Sequence, residues 1–252
     1  MSTGQGSGRV ALITGGTSGI GLATARVLHE RGFAVVVTGK DPEHIASAKA
    51  TLPKDVVVLR ADARVLADTQ SVANEIRTRH GRLDALFLNA GVGPMRPVEA
   101  VDEASFDDNF AVNVKGQFFT LQKVLPLLRE GASVVLMSAL GVFLGVPNYS
   151  VATATRGAMM AMVAPLAAEL APRKIRVNGV LPSAIETPAF AKLGLSDEQL
   201  AAFGKWVNGR LLVGRTGTPE DVAEVVAFLV SPAAAFMTGA CIPIDGGMSV
   251  SM

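Results

Sequence analysis

The glycine-rich run Thr14, Gly15, Gly16, Thr17, Ser18, Gly19, Ile20, Gly21 has the chemistry of a phosphate cradle. A pyrophosphate that approaches main-chain N–H groups at a helix N-terminus is favoured by the helix dipole, and a Cβ in its path would obstruct the contact. A plain structural turn is the alternative. Lys40 follows Gly39 at the end of an apolar run, where a dinucleotide-binding fold faces the adenosine ribose. An acid there holds a 2′-hydroxyl, whereas a cation accommodates a 2′-phosphate. The position points to NADP(H), with NAD(H) as the alternative, because Lys40 also reads as a solvated turn charge with Asp41 beside it. Asp62 either accepts from an adenine amino group or caps the next helix. Asn89, Ala90 and Gly91 end another apolar run; their small side chains let a coenzyme lie flat across a strand end, a turn being the bland reading. Asn113, polar on an apolar helical face, is either a satisfied core amide or a site residue.

The elements that must carry these residues alternate along the chain. Apolar runs at 10–13, 33–38, 56–59, 83–88, 134–137, 175–181 and 241–244 predict buried strands. Helical spacing is expected over 22–31, from near 65, over a long 106–128, over 150–170 and over 218–230. Thr218, Pro219, Glu220 and Asp221 supply a capping residue, a first-turn proline and acids for the last of these. Strands and helices alternate without a linker, which predicts one α/β domain over 9–252, a doubly wound parallel sheet of Rossmann type with helices on both faces. Residues 1–8 read as a disordered leader. The stretch 187–212, irregular in period, reads as a substrate lid; Phe190, Phe203, Trp206 and Leu211 suggest an apolar or aromatic small-molecule substrate.

Composition narrows the classes further. With 23 Lys+Arg against 22 Asp+Glu there is no basic stripe to bind nucleic acid. The longest apolar stretches are broken by Gly, Pro or charge before the ~20 residues of a membrane span. The single Cys241 forms no intramolecular disulfide and fits a reducing cytoplasm. His29, His44 and His80 fall away from the strand ends, and no metal-ligand cluster or nucleophile triad is evident.

Together, TGGTSGIG (14–21), NAG (89–91), NVKG (113–116), IRVNGVLP (175–182), Glu186-Thr187-Pro188, GRTGTPED (214–221) and DGG (245–247) resemble the short-chain dehydrogenase/reductase family over nearly the whole length. The resemblance implies a sheet of about seven parallel strands, a nicotinamide coenzyme touching Pro182 and Thr187 as well as the loop above, and a homotetramer or homodimer. It also implies a Ser, Tyr, Lys and Asn set that moves a proton while hydride passes between coenzyme and a carbonyl or secondary alcohol. Aligned without a gap, Ala139 falls at the serine, Ala152 at the tyrosine and Arg156 at the lysine, and only Asn113 matches. Ser138 and Tyr149, the one tyrosine in the chain, are the neighbours able to stand in. Arg156 can bind ribose hydroxyls but cannot titrate as a lysine does. Ser183 stands where the family usually has glycine. The expectation is an NADP(H)-binding oxidoreductase with weakened or rerouted catalysis; the alternatives are a non-catalytic nucleotide-binding protein or a reductase silenced by replacement.

Overall fold

A computed structural model describes residues 8–188 and 193–251. Phe190, most of the leader and Met252 lie outside them. Seven strands form one sheet: β1 (Arg9–Ile13), β2 (Phe33–Gly39), β3 (Val57–Arg60), β4 (Leu83–Leu88), β5 (Leu128–Met137), β6 (Arg176–Pro182) and β7 (Cys241–Ile244). Their order is β3-β2-β1-β4-β5-β6-β7, and every pairing is parallel. The chain reverses direction across the sheet between β1 and β4, and the crevice at that switch point is where such sheets bind ligands.

Burial on both faces explains the near-continuous apolar strands. One face packs Ile13, Val35, Val37 and Phe87 against Ala25 and Leu28 of α1 (Gly19–Glu30) and Val222 and Val226 of α8 (Pro219–Leu229). The other packs Leu12, Leu86 and Val134 against Ile76 of α3 (Leu66–His80), Leu121 of α5 (Gln117–Val124) and Met159 and Val163 of α6 (Ser150–Leu170). Two shorter helices, α2 (Pro42–Thr51) and α4 (Glu103–Phe110), complete the layers. With its 3₁₀ extension, α6 is long and apolar enough to cross a membrane by length and composition; here it packs on β5 and β6.

Three local expectations are corrected. The long helix over 106–128 is not continuous: α4 passes into a π-helical turn, Ala111–Gly116, before α5 begins. Gly116 meets Ala63, where a Cβ would stand 2.9 Å from the Ala63 carbonyl carbon, and Gln117 Nε2 donates back to Val112 O at 3.2 Å. The strand placed at 134–137 starts earlier, Leu83 pairing with Leu128 and Ala85 with Ser133 across a register shift. Within the stretch read as irregular, α7 (Asp197–Asn208) begins at a capping box in which the Ser196 hydroxyl accepts from Gln199 N and Gln199 Oε1 accepts from Ser196 N.

Candidate active site

The crevice outside β1, β4, β5 and β6 opens into one cavity of about 670 Å³ that runs from Lys40 and Asp62 to Trp206 and Met248. Its floor is tied together at Thr14, the first residue after β1. The buried Thr14 hydroxyl donates to Gln117 Oε1 at 2.9 Å and accepts from the main-chain amides of Asn89 at 2.9 Å and Ala90 at 3.0 Å. Asn89 returns the tie by donating from Nδ2 to Thr14 O and Gly15 O at 2.9 and 3.1 Å. The loops after β1 and β4 are thereby one unit.

Glycine is required at two points of that unit. Gly15 has φ +63°, and a Cβ there would lie 2.8 Å from Ala90 Cα. At Gly21 a Cβ would meet Asn89 Nδ2 at 2.7 Å and Gly16 Cα at 2.9 Å. Ser18, the N-cap of α1, makes no side-chain cap bond, so the first-turn amides at Gly19, Ile20 and Gly21 keep their donors for an anion. Thr17 packs on Gly39, and Thr187 packs on Gly19 from the far side of the loop. These features fit a dinucleotide's pyrophosphate.

At the adenosine end, Lys40 is exposed and lines the cavity. Asp41 caps α2 by accepting from the amides of Glu43 and His44. Asp62 does not cap α3, whose N-cap Val65 has no side-chain bond. Its carboxylate takes Arg64 Nε at 3.0 Å and Nη2 at 2.7 Å, and Arg64 Nη1 reaches Asp108 at 2.6 Å. That hydrogen-bonded pairing with Arg64 holds the Asp62 carboxyl below its usual range.

At the opposite end, Asn113 is fully buried in the π-helical turn. Its Oδ1 accepts from Val92 N at 2.7 Å, and its Nδ2 donates to Val92 O and to Thr155 Oγ1 at 2.8 Å each. Asn113 therefore fixes the loop after Gly91. Ala139, which lines the cavity, starts a 3₁₀ turn, and Ala152 is 2% exposed on α6. The Ser138 hydroxyl is buried and donates to Arg156 O at 2.8 Å. Pro182 ends β6 at the cavity wall.

Tyr149 is the N-cap of α6, placed by Asn148 in a left-handed conformation (φ 62°). Its ring lies along Gly141, and its Oη is so near Gly93 that a Cβ there would stand 2.7 Å away. Two turns into α6, the Arg156 guanidinium enters the same cavity beside Gly91. Desolvation lowers the Arg156 pKa, and the neighbouring Tyr149 partly opposes the shift. Above both, Met95 N donates to Leu193 O at 2.8 Å and Arg96 N to Asn148 O at 2.7 Å. Most residues read from sequence thus converge on one cavity; Gly21, Asn113, Ala152 and Leu211 are not among those lining it, and Asn113 acts on it only through the Val92 main chain. Sequence reading missed Thr14, Gln117 and Thr155; only Thr14, a hydroxyl at the strand end before Gly15, left a legible signal.

Comparison with known proteins agrees with this construction. Residues 15–249 match the family model described as enoyl-(acyl carrier protein) reductase. The chain is 34% identical over 253 residues to the 3-oxoacyl-(acyl-carrier-protein) reductase of Thermotoga maritima, covering 96% of this chain and 98% of that one. It is 34% identical over 254 residues to a versicolorin reductase of Emericella nidulans, with 95% of each covered. Among solved structures, levodione reductase superposes with a TM-score of 0.89 at 32% identity, covering 97% of this chain and 98% of that chain. The 3-ketoacyl-(acyl-carrier-protein) reductase of Brucella melitensis, complexed with NADH, superposes at 0.87 and 32% identity, with coverage of 96% and 99%. A cradle of this form, on a sheet of this order, in a chain matched end to end by such reductases, belongs to the short-chain dehydrogenase/reductase family.

Proposed function

We infer that the protein is an NADP(H)-dependent oxidoreductase that interconverts a carbonyl and a secondary alcohol on an apolar small molecule, with the Tyr149 phenol handling the proton. One observation carries the reading: the chain's single phenol and Arg156 enter the cavity that also holds the glycine cradle. The first-turn amides of α1 and the loop at Asn89, Ala90 and Gly91 would hold the coenzyme, Lys40 a 2′-phosphate, Arg156 the ribose hydroxyls, and Pro182 and Thr187 the nicotinamide side. When bound, the coenzyme supplies or accepts the hydride.

The rest falls to this chain's side chains. Ala139 and Ala152 carry no hydroxyl to take the roles of the family's serine and tyrosine, and Ser138 spends its hydroxyl on Arg156 O. In the reducing direction Tyr149 Oη gives its proton to the substrate oxygen; in the oxidising direction it takes one. The substrate end has an apolar wall that excludes water: Trp206 stacks on Phe203, and these two and Leu144 pack against the cluster of Leu140, Val207, Leu211 and Met248. Assembly into a homotetramer or homodimer follows the family.

A nucleotide-binding protein without turnover is the second reading, favoured by the occupied Ser138 hydroxyl. The test is NADPH oxidation with a panel of ketones, on the wild type and on Tyr149→Phe. Loss of the phenol should lower kcat by about 10²–10⁴-fold, the usual worth of general acid help, with NADPH affinity unchanged. Equal turnover by the variant refutes the role of Tyr149. NADPH binding without any turnover selects the second reading.

A further inference from the structure

The geometry points to Arg156 as the anchor for a carboxylate, so that the substrate is an oxo acid, or the matching hydroxy acid, with an apolar body. The oxo group rests on the function proposed above; the carboxylate rests on the cavity alone.

Arg156 is a half-buried cation in the wall of the cavity, and no acid among the described residues neutralises it. Its guanidinium presses on Gly91, where a Cβ would lie 2.9 Å from Cζ. Among the described residues its one side-chain hydrogen bond is a long donation to Met137 O at 3.4 Å, and no carboxylate pairs with it. The other enclosed arginines are engaged: Arg64 is held by Asp62 and Asp108, and Arg176 donates to the carbonyls of Leu229, Ser231 and Met237. The acids lining the cavity are spoken for elsewhere, since Asp62 and Asp108 hold Arg64 and Asp41 caps α2.

A half-buried guanidinium left without a counter-charge is costly, and the hydroxyls of a ribose that take some of its N–H groups leave its charge uncompensated. A carboxylate does both, because its two oxygens match the planar fork. Beyond Arg156 the cavity turns apolar at Leu144, Val146, Phe203, Trp206 and Val207. One fixed cation beside an apolar wall selects an amphipathic acid over a neutral ketone of the same shape.

The test is calorimetric titration of the full chain, saturated with NADP⁺, by 3-phenylpropanoate and by 3-phenylpropanamide, a neutral near-isostere. Neither probe can react, so the readout is independent of turnover. The acid should bind at least about tenfold more tightly than the amide, the scale of a charge-assisted hydrogen bond. That preference should fall to within about twofold in Arg156→Met and persist in part in Arg156→Lys. Equal binding of acid and amide to the wild type overturns the proposal even if both variants fail to fold. A preference that survives in Arg156→Met also overturns it, as does a variant that loses NADP⁺ affinity while the wild type shows no discrimination. Turnover of neutral ketones without an acid preference removes this inference and leaves the proposed function. An acid preference in a protein that reduces no oxo acid does the reverse.

Discussion

Replacing Thr14 with valine keeps the shape of the side chain and removes only the hydroxyl on which the loops after β1 and β4 converge. The change leaves the Asn89 and Ala90 amides without their acceptor and Gln117 Oε1 without its donor. A buried polar group left unmade costs about 1–3 kcal/mol, which sets a ceiling near 9 kcal/mol for three such groups. Asn89 and Ala90 are only half-buried, so water repairs part of the loss. The expected destabilisation is about 3 kcal/mol, or roughly 6–12 °C in Tm at about 2–4 °C per kcal/mol for a chain of this size. Urea unfolding followed by circular dichroism measures it, with Thr14→Ser as the control that keeps the hydroxyl and costs about 1 kcal/mol for the lost methyl. Coenzyme affinity should fall with stability in the valine variant, because the same amides position Gly91. A valine variant within about 1 kcal/mol of wild type, or a serine variant equally damaged, refutes the hydroxyl's role as hub.

Gly21→Ala forces a methyl against Asn89 Nδ2 and Gly16 Cα; it should cost about 1–3 kcal/mol in unfolding experiments and abolish measurable coenzyme binding by calorimetry. Lys40→Ala should weaken NADP⁺ binding by about tenfold, the worth of one charge-assisted phosphate contact, and leave NAD⁺ binding unchanged; parallel titrations decide it. The Asp221 carboxyl, paired with both terminal nitrogens of Arg215 at 2.6 and 2.9 Å, is pulled from 3.8 to about 2. A folded pKa below the unfolded one contributes stability above pH 3.8 that disappears as pH falls through about 2. Unfolding curves of wild type and Asp221→Asn should therefore differ at neutral pH and converge toward pH 2.

The inner strands were legible because they are buried on both faces and read as largely apolar runs, so β4 falls where it was expected; the edge strand β7, only partly buried, also takes its expected span. The cradle was legible because glycine at Gly15 and Gly21 is a steric necessity of close backbone approach. The π-helical turn was not, since its cause is tertiary: Asn113 reaches the Val92 main chain and Gly116 fits under Ala63, contacts with partners far away in sequence. The place of Lys40 just after β2 was legible from its position, whereas the pairing of Asp62 with Arg64, which also reaches Asp108, depends on α4 coming alongside. That no carboxylate among the described residues pairs with Arg156 is likewise set by what approaches it in three dimensions.

The dipeptide Met95-Arg96 holds Leu193 with one amide and Asn148 with the next. Two adjacent amides of one dipeptide thus tie Leu193 and Asn148, the immediate neighbour of Tyr149, to the same short piece of main chain, so the backbone that carries the phenol is braced from the loop after β4 as well as by α6.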